Sequence, residues 1–150
     1  MMKTQQKNIK QNCGFTLVET LFAAMLLGLV IAALAASSGA FTMANGYGVD
    51  LSTAEFLSEE MQELTANESF STLVASYDGQ AFNPPKDISN SDMTDFSEFT
   101  QQVDIDYVES GNFDNVVTGP TDFIRVTVTI TKNGVPISST SWIRANITAG

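Results

Sequence analysis

The sequence predicts an α+β protein: a long N-terminal transmembrane and amphipathic helix packed on a small three-stranded antiparallel β-meander head. Three observations carry this expectation. Residues 20–49 contain no charged side chain, and their most apolar part, 20–43, would reach roughly 36 Å as a helix. Leu51, Ala54, Leu57, Met61 and Leu64 then recur at three- and four-residue spacing, which places them on one helix face. In the last third the period changes to two, with Val126, Val128 and Ile130 alternating with threonines ahead of Asn133-Gly134.

The elements follow in order. Residues 1–14 are polar and carry Lys3, Lys7 and Lys10 with no acid. Residues 15–49 form a hydrophobic helix long enough to cross a hydrocarbon core of about 30 Å. Glu19 sits near its start. A carboxylate at mid-bilayer costs about 2.5–3.5 kcal/mol on insertion scales. Glu19 therefore either reaches the interface or awaits a positive partner. Asn45-Gly46-Tyr47-Gly48 places two glycines in the helix, each costing about 1 kcal/mol against Ala. They predict a kink or loop between two helices, or a weak point where one helix melts. Asp50 or Ser52 would cap a fresh start.

Residues 50–77 read as an amphipathic helix followed by a short second helix. Glu55, Glu59, Glu60 and Glu63 fall largely off the apolar face, and Phe70, Leu73, Val74 and Tyr77 share helical spacing within 68–77. Residues 78–150 read as a loop and a C-terminal antiparallel sheet. Asp78-Gly79 and Asn83-Pro84-Pro85 are turn signals, so 78–98 is expected to be a long loop pinned by Phe82, Ile88 and Phe96. Val103, Ile105 and Tyr107 alternate with Asp104 and Asp106 as a half-buried first strand. Residues 112–120 connect it to a second strand over 125–131. Asn133-Gly134 gives a tight hairpin, and 135–143 returns as the third strand, where Pro136 suits an edge or a strand start. Trp142 is expected to cap the sheet.

The N-terminal residues have a further meaning. A short basic leader ending in Gly14, then Phe15, with Glu19 five residues into an apolar helix, resembles the class III signal of type IV pilins and type II secretion pseudopilins. The resemblance covers residues 10–36. It implies a pilin-like fold, with cleavage between Gly14 and Phe15 by a prepilin peptidase and N-methylation of Phe15. It also implies that Glu19 neutralises the Phe15 amine of a neighbouring subunit during assembly. The expected location is the inner membrane, single-pass, with the head on the periplasmic or extracellular side, in a pilus or pseudopilus. The expected partners are the peptidase, other pilin or pseudopilin subunits, an inner-membrane assembly platform and membrane lipid. Many type IV pilins staple the head with a disulfide. Here the only cysteine is Cys13, in the leader, and this short head leans toward a minor subunit. A major pilin for adhesion, motility or DNA uptake is the nearest alternative. A secreted or periplasmic binding protein with a conventional removed signal peptide is another, cut near residues 33–40. Against it stand an apolar run longer than the usual 7–15 residues and the charge of Glu19 inside that run.

Composition narrows the function further. The chain has a formal net charge of −10. Residues 15–150 keep four basic residues, Lys86, Arg125, Lys132 and Arg144, against all 17 acids, a formal −13. Nucleic-acid binding, which runs on clustered Lys and Arg, is not expected. With no histidine in the chain, Ser-His-Asp and Cys-His catalysis and common zinc sites are not expected either. Neither an enzymatic activity nor a cofactor is expected. Asp104 and Asp106 share a strand face, and Asp87, Asp92 and Asp95 crowd the loop. They lack the compact D-x-D-x-D-G spacing of a calcium loop and read as a solvated acidic surface. Asn67-Glu68-Ser69 and Asn146-Ile147-Thr148 fit a glycosylation sequon that is common by chance.

Overall fold

Fifty consecutive residues, Leu17–Ala66, form one helix, α1. The structure, a computed structural model, describes residues 16–147. The chain divides into two compact units, Met1–Ala44 and Asn45–Gly150. In the first, described residues 17–44 are helical throughout. In the second, the end of α1 is followed by α2 (Phe70–Ser76), β1 (Gln80–Phe82), a 3-10 turn (Thr94–Phe96), β2 (Phe99–Glu109), β3 (Asn112–Val116), β4 (Phe123–Lys132) and β5 (Val135–Ala145).

The glycine segment does not break the helix. Asn45-Gly46-Tyr47-Gly48 is helical, and neither Asp50 nor Ser52 starts a new helix. The expected kink or loop is thus replaced by continuous helix. Asp50 is used otherwise: its carboxylate accepts a hydrogen bond from Lys132 Nζ at 2.7 Å. Packing of the following turns offsets the propensity cost of the glycines. Ala54, Leu57, Met61 and Leu64 are buried, as their spacing predicts, but Leu51 is 44% exposed. Ser58 and Thr65 take up the rest of the buried stripe. Thr65 Oγ1 satisfies itself on the Met61 carbonyl at 2.7 Å.

Helix α2 begins at Ser69, whose side-chain oxygen accepts the Thr72 N–H, as an N-cap does. It buries Leu73 and delivers Tyr77 to the core. Burial is the main reason the Tyr77 phenol is pushed above its ordinary value, and the Glu68 charge adds to it while Lys86 opposes.

The sheet is antiparallel, with order β1-β2-β4-β5 and β3 paired to the end of β2. It has five strands where the alternation predicted three. The three predicted strands are β2, β4 and β5. The other two lie in segments expected to be loop or connection. β1 has three residues, too few to show a period, and lies along the first half of β2 with Gln80 opposite Val103. β3 is exposed at all five positions, so burial imposes no alternation on it. Its hairpin with β2 turns through Gly111 at φ +95°, which a side chain would oppose.

On β2 and β4 the pleat sorts the residues as expected. Phe99, Val103, Ile105, Ile124, Val126, Val128 and Ile130 pack in one core with Ala54, Leu57, Met61, Leu64 and Leu73. Trp142 and Phe82 pack partly buried against it, and Phe96 does so while lying 5.9 Å, centroid to centroid, from Phe56. Ile88, the third expected pin, is instead 45% exposed. Asn133 at φ +50° and Gly134 at φ +80° make the predicted tight turn, closing Lys132 onto Val135.

One buried polar residue joins three elements. Gln101 has no exposure. Its amide donates to the Leu57 carbonyl of α1 at 2.8 Å and to the Lys86 carbonyl at 3.1 Å. Its carbonyl oxygen accepts the Lys86 N–H at 2.7 Å. Gln101→Ala and the similarly sized Gln101→Leu should both lower stability, by about 1–3 kcal/mol, because each leaves Lys86 backbone groups without their partner. Denaturant unfolding followed by circular dichroism tests this. An unchanged midpoint in Gln101→Leu would mean that only volume matters there.

Candidate functional site

The N-terminal site starts from helix capping. Thr16 stands just before α1, and its Oγ1 accepts the Glu19 N–H at 3.3 Å. Its carbonyl accepts the Thr20 N–H at 3.2 Å, and Thr20 Oγ1 donates to the Leu17 carbonyl at 2.8 Å. Thr16-Leu17-Val18-Glu19 thus spells a capping box of which the threonine half is made. Glu19 lies in the first turn of α1, where the helix dipole favours a negative charge. Its carboxylate is exposed and makes no hydrogen bond or ion pair among the described residues. Gly14 and Phe15, the expected cleavage pair, lie outside the described residues.

Behind Glu19 the helix is apolar on every side. All residues from 16 to 49 are exposed. Among the large apolar side chains between Leu17 and Phe41, even the most covered, Val30, is 52% exposed. A helix with an apolar stripe would bury that stripe on its own protein, whereas one apolar all round requires an apolar surrounding. Helix α1 is long and apolar enough to cross a membrane.

In the head, the acids singled out in the sequence are dispersed into separate local roles. Asp87 Oδ1 accepts the Ser89 and Ser91 N–H groups, each at 2.8 Å. Asp92 pairs with Lys86 at 2.7 Å, and Asp106 pairs with Arg125, directly across the ladder, at 3.0 Å. Asp104 accepts a hydrogen bond from Gln102 at 3.2 Å, while Asp95 stands in the 3-10 turn. Among the described residues no group of three or more His, Cys, Asp or Glu converges as a metal site would. Asn67, the first sequon asparagine, donates its side-chain amide to the Glu63 carbonyl at 3.1 Å.

Two basic residues escaped the sequence reading. Lys132 Nζ sits 2.7 Å from Asp50, 3.5 Å from Glu98 and 5.3 Å from the centre of the Phe99 ring. The hydrogen bond to Asp50 is the chief reason that its pKa is raised, with the charges of Asp50 and Glu98 adding to it and desolvation opposing. Lys132 therefore stays charged at neutral pH and ties the hairpin to α1. Arg144 donates from both terminal nitrogens to the Thr65 carbonyl, in the last turn of α1, and to the Glu68 carbonyl, between α1 and α2. Lysine and arginine at these positions carried no local signal, because their partners lie far away in sequence.

Comparison with known proteins bears on the N-terminal site. No curated protein and no solved structure matches the chain significantly. Residues 9–35 match the family described as the Prokaryotic N-terminal methylation motif. The match spans Gly14, Phe15 and Glu19 and ends within α1. The chain carries the class III signal of type IV prepilins, on a helix long and apolar enough to cross a membrane.

Proposed function

We propose that this protein is a structural subunit, a minor pilin or pseudopilin, of a type IV pilus or type II secretion pseudopilus. The observation that carries the proposal is the methylation motif at residues 9–35 leading into an apolar helix. A prepilin peptidase cuts between Gly14 and Phe15 and methylates the new amine. Before assembly the helix holds the chain in the inner membrane, with the head on the periplasmic or extracellular side. An assembly platform in that membrane then packs the helix among those of other subunits. Three features of the site support this order of events. The polar, cationic residues 1–14 stand ahead of the apolar helix. Thr16, which lies beyond the proposed cut, caps that helix. Glu19 keeps an exposed carboxylate one turn from the new terminus. The role is mechanical and calls for no cofactor.

Mass spectrometry of the membrane-extracted protein tests the reading. The expected species begins at N-methylated Phe15. A chain beginning between residues 33 and 41 would instead identify a secreted protein released from a conventional signal peptide.

A further inference from the structure

Nothing in the folded chain requires glycine at positions 46 and 48. Both residues are helical, neither has a positive φ, and a Cβ at either would meet no atom within 4 Å. Each nonetheless weakens the helix, because glycine loses more backbone freedom on ordering than any other residue.

Their place along α1 gives them a meaning. The strongly apolar stretch ends at Met43, and the chain divides into its two compact units between Ala44 and Asn45. On the other side, Asp50 is the first described residue that is not exposed. Its carboxylate holds Lys132 at the end of β4, whose ammonium also stands over the Phe99 ring. Ala54, the first buried residue, follows one turn later. Residues 45–49 therefore lie between two supports and have neither a long apolar run nor a packed core behind them. Residues 20–49 carry no charge, so no ion pair one turn apart braces this segment. Just after it, Thr53 Oγ1 donates to the Val49 carbonyl at 2.9 Å, a contact that often bends a helix.

We propose that Asn45–Gly48 is a hinge in α1, and that the Asp50–Lys132 pair is the clamp at which its head end stops. In this structure the hinge is closed into helix. It opens locally while the helix on either side persists, because stability against opening follows packing and burial along the chain. Resting on the subunit reading above, the hinge lets the head turn as the helix passes from the membrane into a bundle.

The test uses the full-length chain with Cys13→Ser in lipid nanodiscs, spin-labelled at Ser37→Cys and Glu59→Cys. A rigid helix would hold the labels near one separation, about 33 Å at about 1.5 Å per residue. Double electron–electron resonance should instead return a broad distribution that extends well below that value. Adding Gly46→Ala and Gly48→Ala should narrow it to one peak. Amide hydrogen exchange reads the same opening without labels. Protection at residues 45–49 should be at least tenfold lower than at 25–35 and at 55–65, and the two alanines should raise it about twentyfold. Lys132→Met keeps the length of the side chain and removes the clamp, so fast exchange should spread into residues 50–53. A single narrow distance in the chain that keeps both glycines would overturn the hinge. So would exchange at 45–49 that the alanines leave unchanged. Unchanged exchange at 50–53 in Lys132→Met would overturn the clamp. None of these measurements needs a filament, so they stand or fall apart from the subunit role. Filament incorporation of the alanine variant at the level of the unmodified chain would overturn the part given to the hinge in assembly.

Discussion

Gly14→Phe should leave the precursor uncut in the membrane, with the mature form reduced at least tenfold on immunoblots. On the proposed reading, the residue before the cut would enter the peptidase's active site at close backbone range. Glycine has no Cβ to obstruct that approach and adopts backbone angles that side chains oppose. Failure to cut would also have a large effect downstream. Residues 1–14 would remain ahead of α1 with Lys3, Lys7 and Lys10, a polar cationic segment that cannot follow an apolar helix into a packed bundle without heavy desolvation. Filament incorporation should therefore fall with cleavage. The head should be unaffected, since the residues that build its core begin at Ala54. If an ordinary signal peptidase acts instead, near residues 33–40, the same substitution would leave the mature form intact. Normal processing of Gly14→Phe would defeat the proposed cleavage site.

Glu19→Ala should still insert and still be cut, yet join filaments poorly. Insertion should improve slightly, because an acid is removed from an apolar run. The helix start should persist, since Thr16 accepts the backbone N–H of residue 19 and needs no carboxylate. The loss falls on assembly. The proposed cleavage would create an α-amino group at Phe15, ordinarily protonated at neutral pH, and methylation would leave it able to carry charge. Buried among helices, that amine is stable only if a carboxylate meets it. Removing one partner of a buried ion pair costs about 3–5 kcal/mol, so incorporation should drop by roughly a hundredfold or more. A subunit docked one step out of register would lose the same pairing, which lets the pair set the axial stagger. Glu19→Gln separates charge from size and should fail as Ala does. Equal incorporation of Glu19→Ala and the unmodified chain into sheared filaments would refute the role. Rescue by a compensating change in a neighbouring subunit would place the contact between chains.

The N-terminal methylation motif was readable from sequence because its information is local. A basic leader, Gly14-Phe15, Glu19 and an uncharged helix occupy a short contiguous stretch, and each term is a residue identity or a run length. The same holds for the apolar face of α1 beyond residue 50, the alternation in β2 and β4, and the Asn133-Gly134 turn, where the period or the backbone angle belongs to the residues themselves. The tertiary structure decided what depends on distant partners. It carried α1 through Gly46 and Gly48, where propensity alone suggested a break. It left Leu51 exposed and gave its place in the buried stripe to Ser58 and Thr65. It added β1 and β3, which are defined by pairing with β2 and have too little length or burial to show a period. It gave the few polar anchors their meaning. Gln101 reaches Leu57 across 44 residues, Arg144 reaches Thr65 across 79, and Lys132 reaches Asp50 across 82. A side chain that bonds so far along the chain leaves no mark in its own neighbourhood, so only the folded arrangement can assign it.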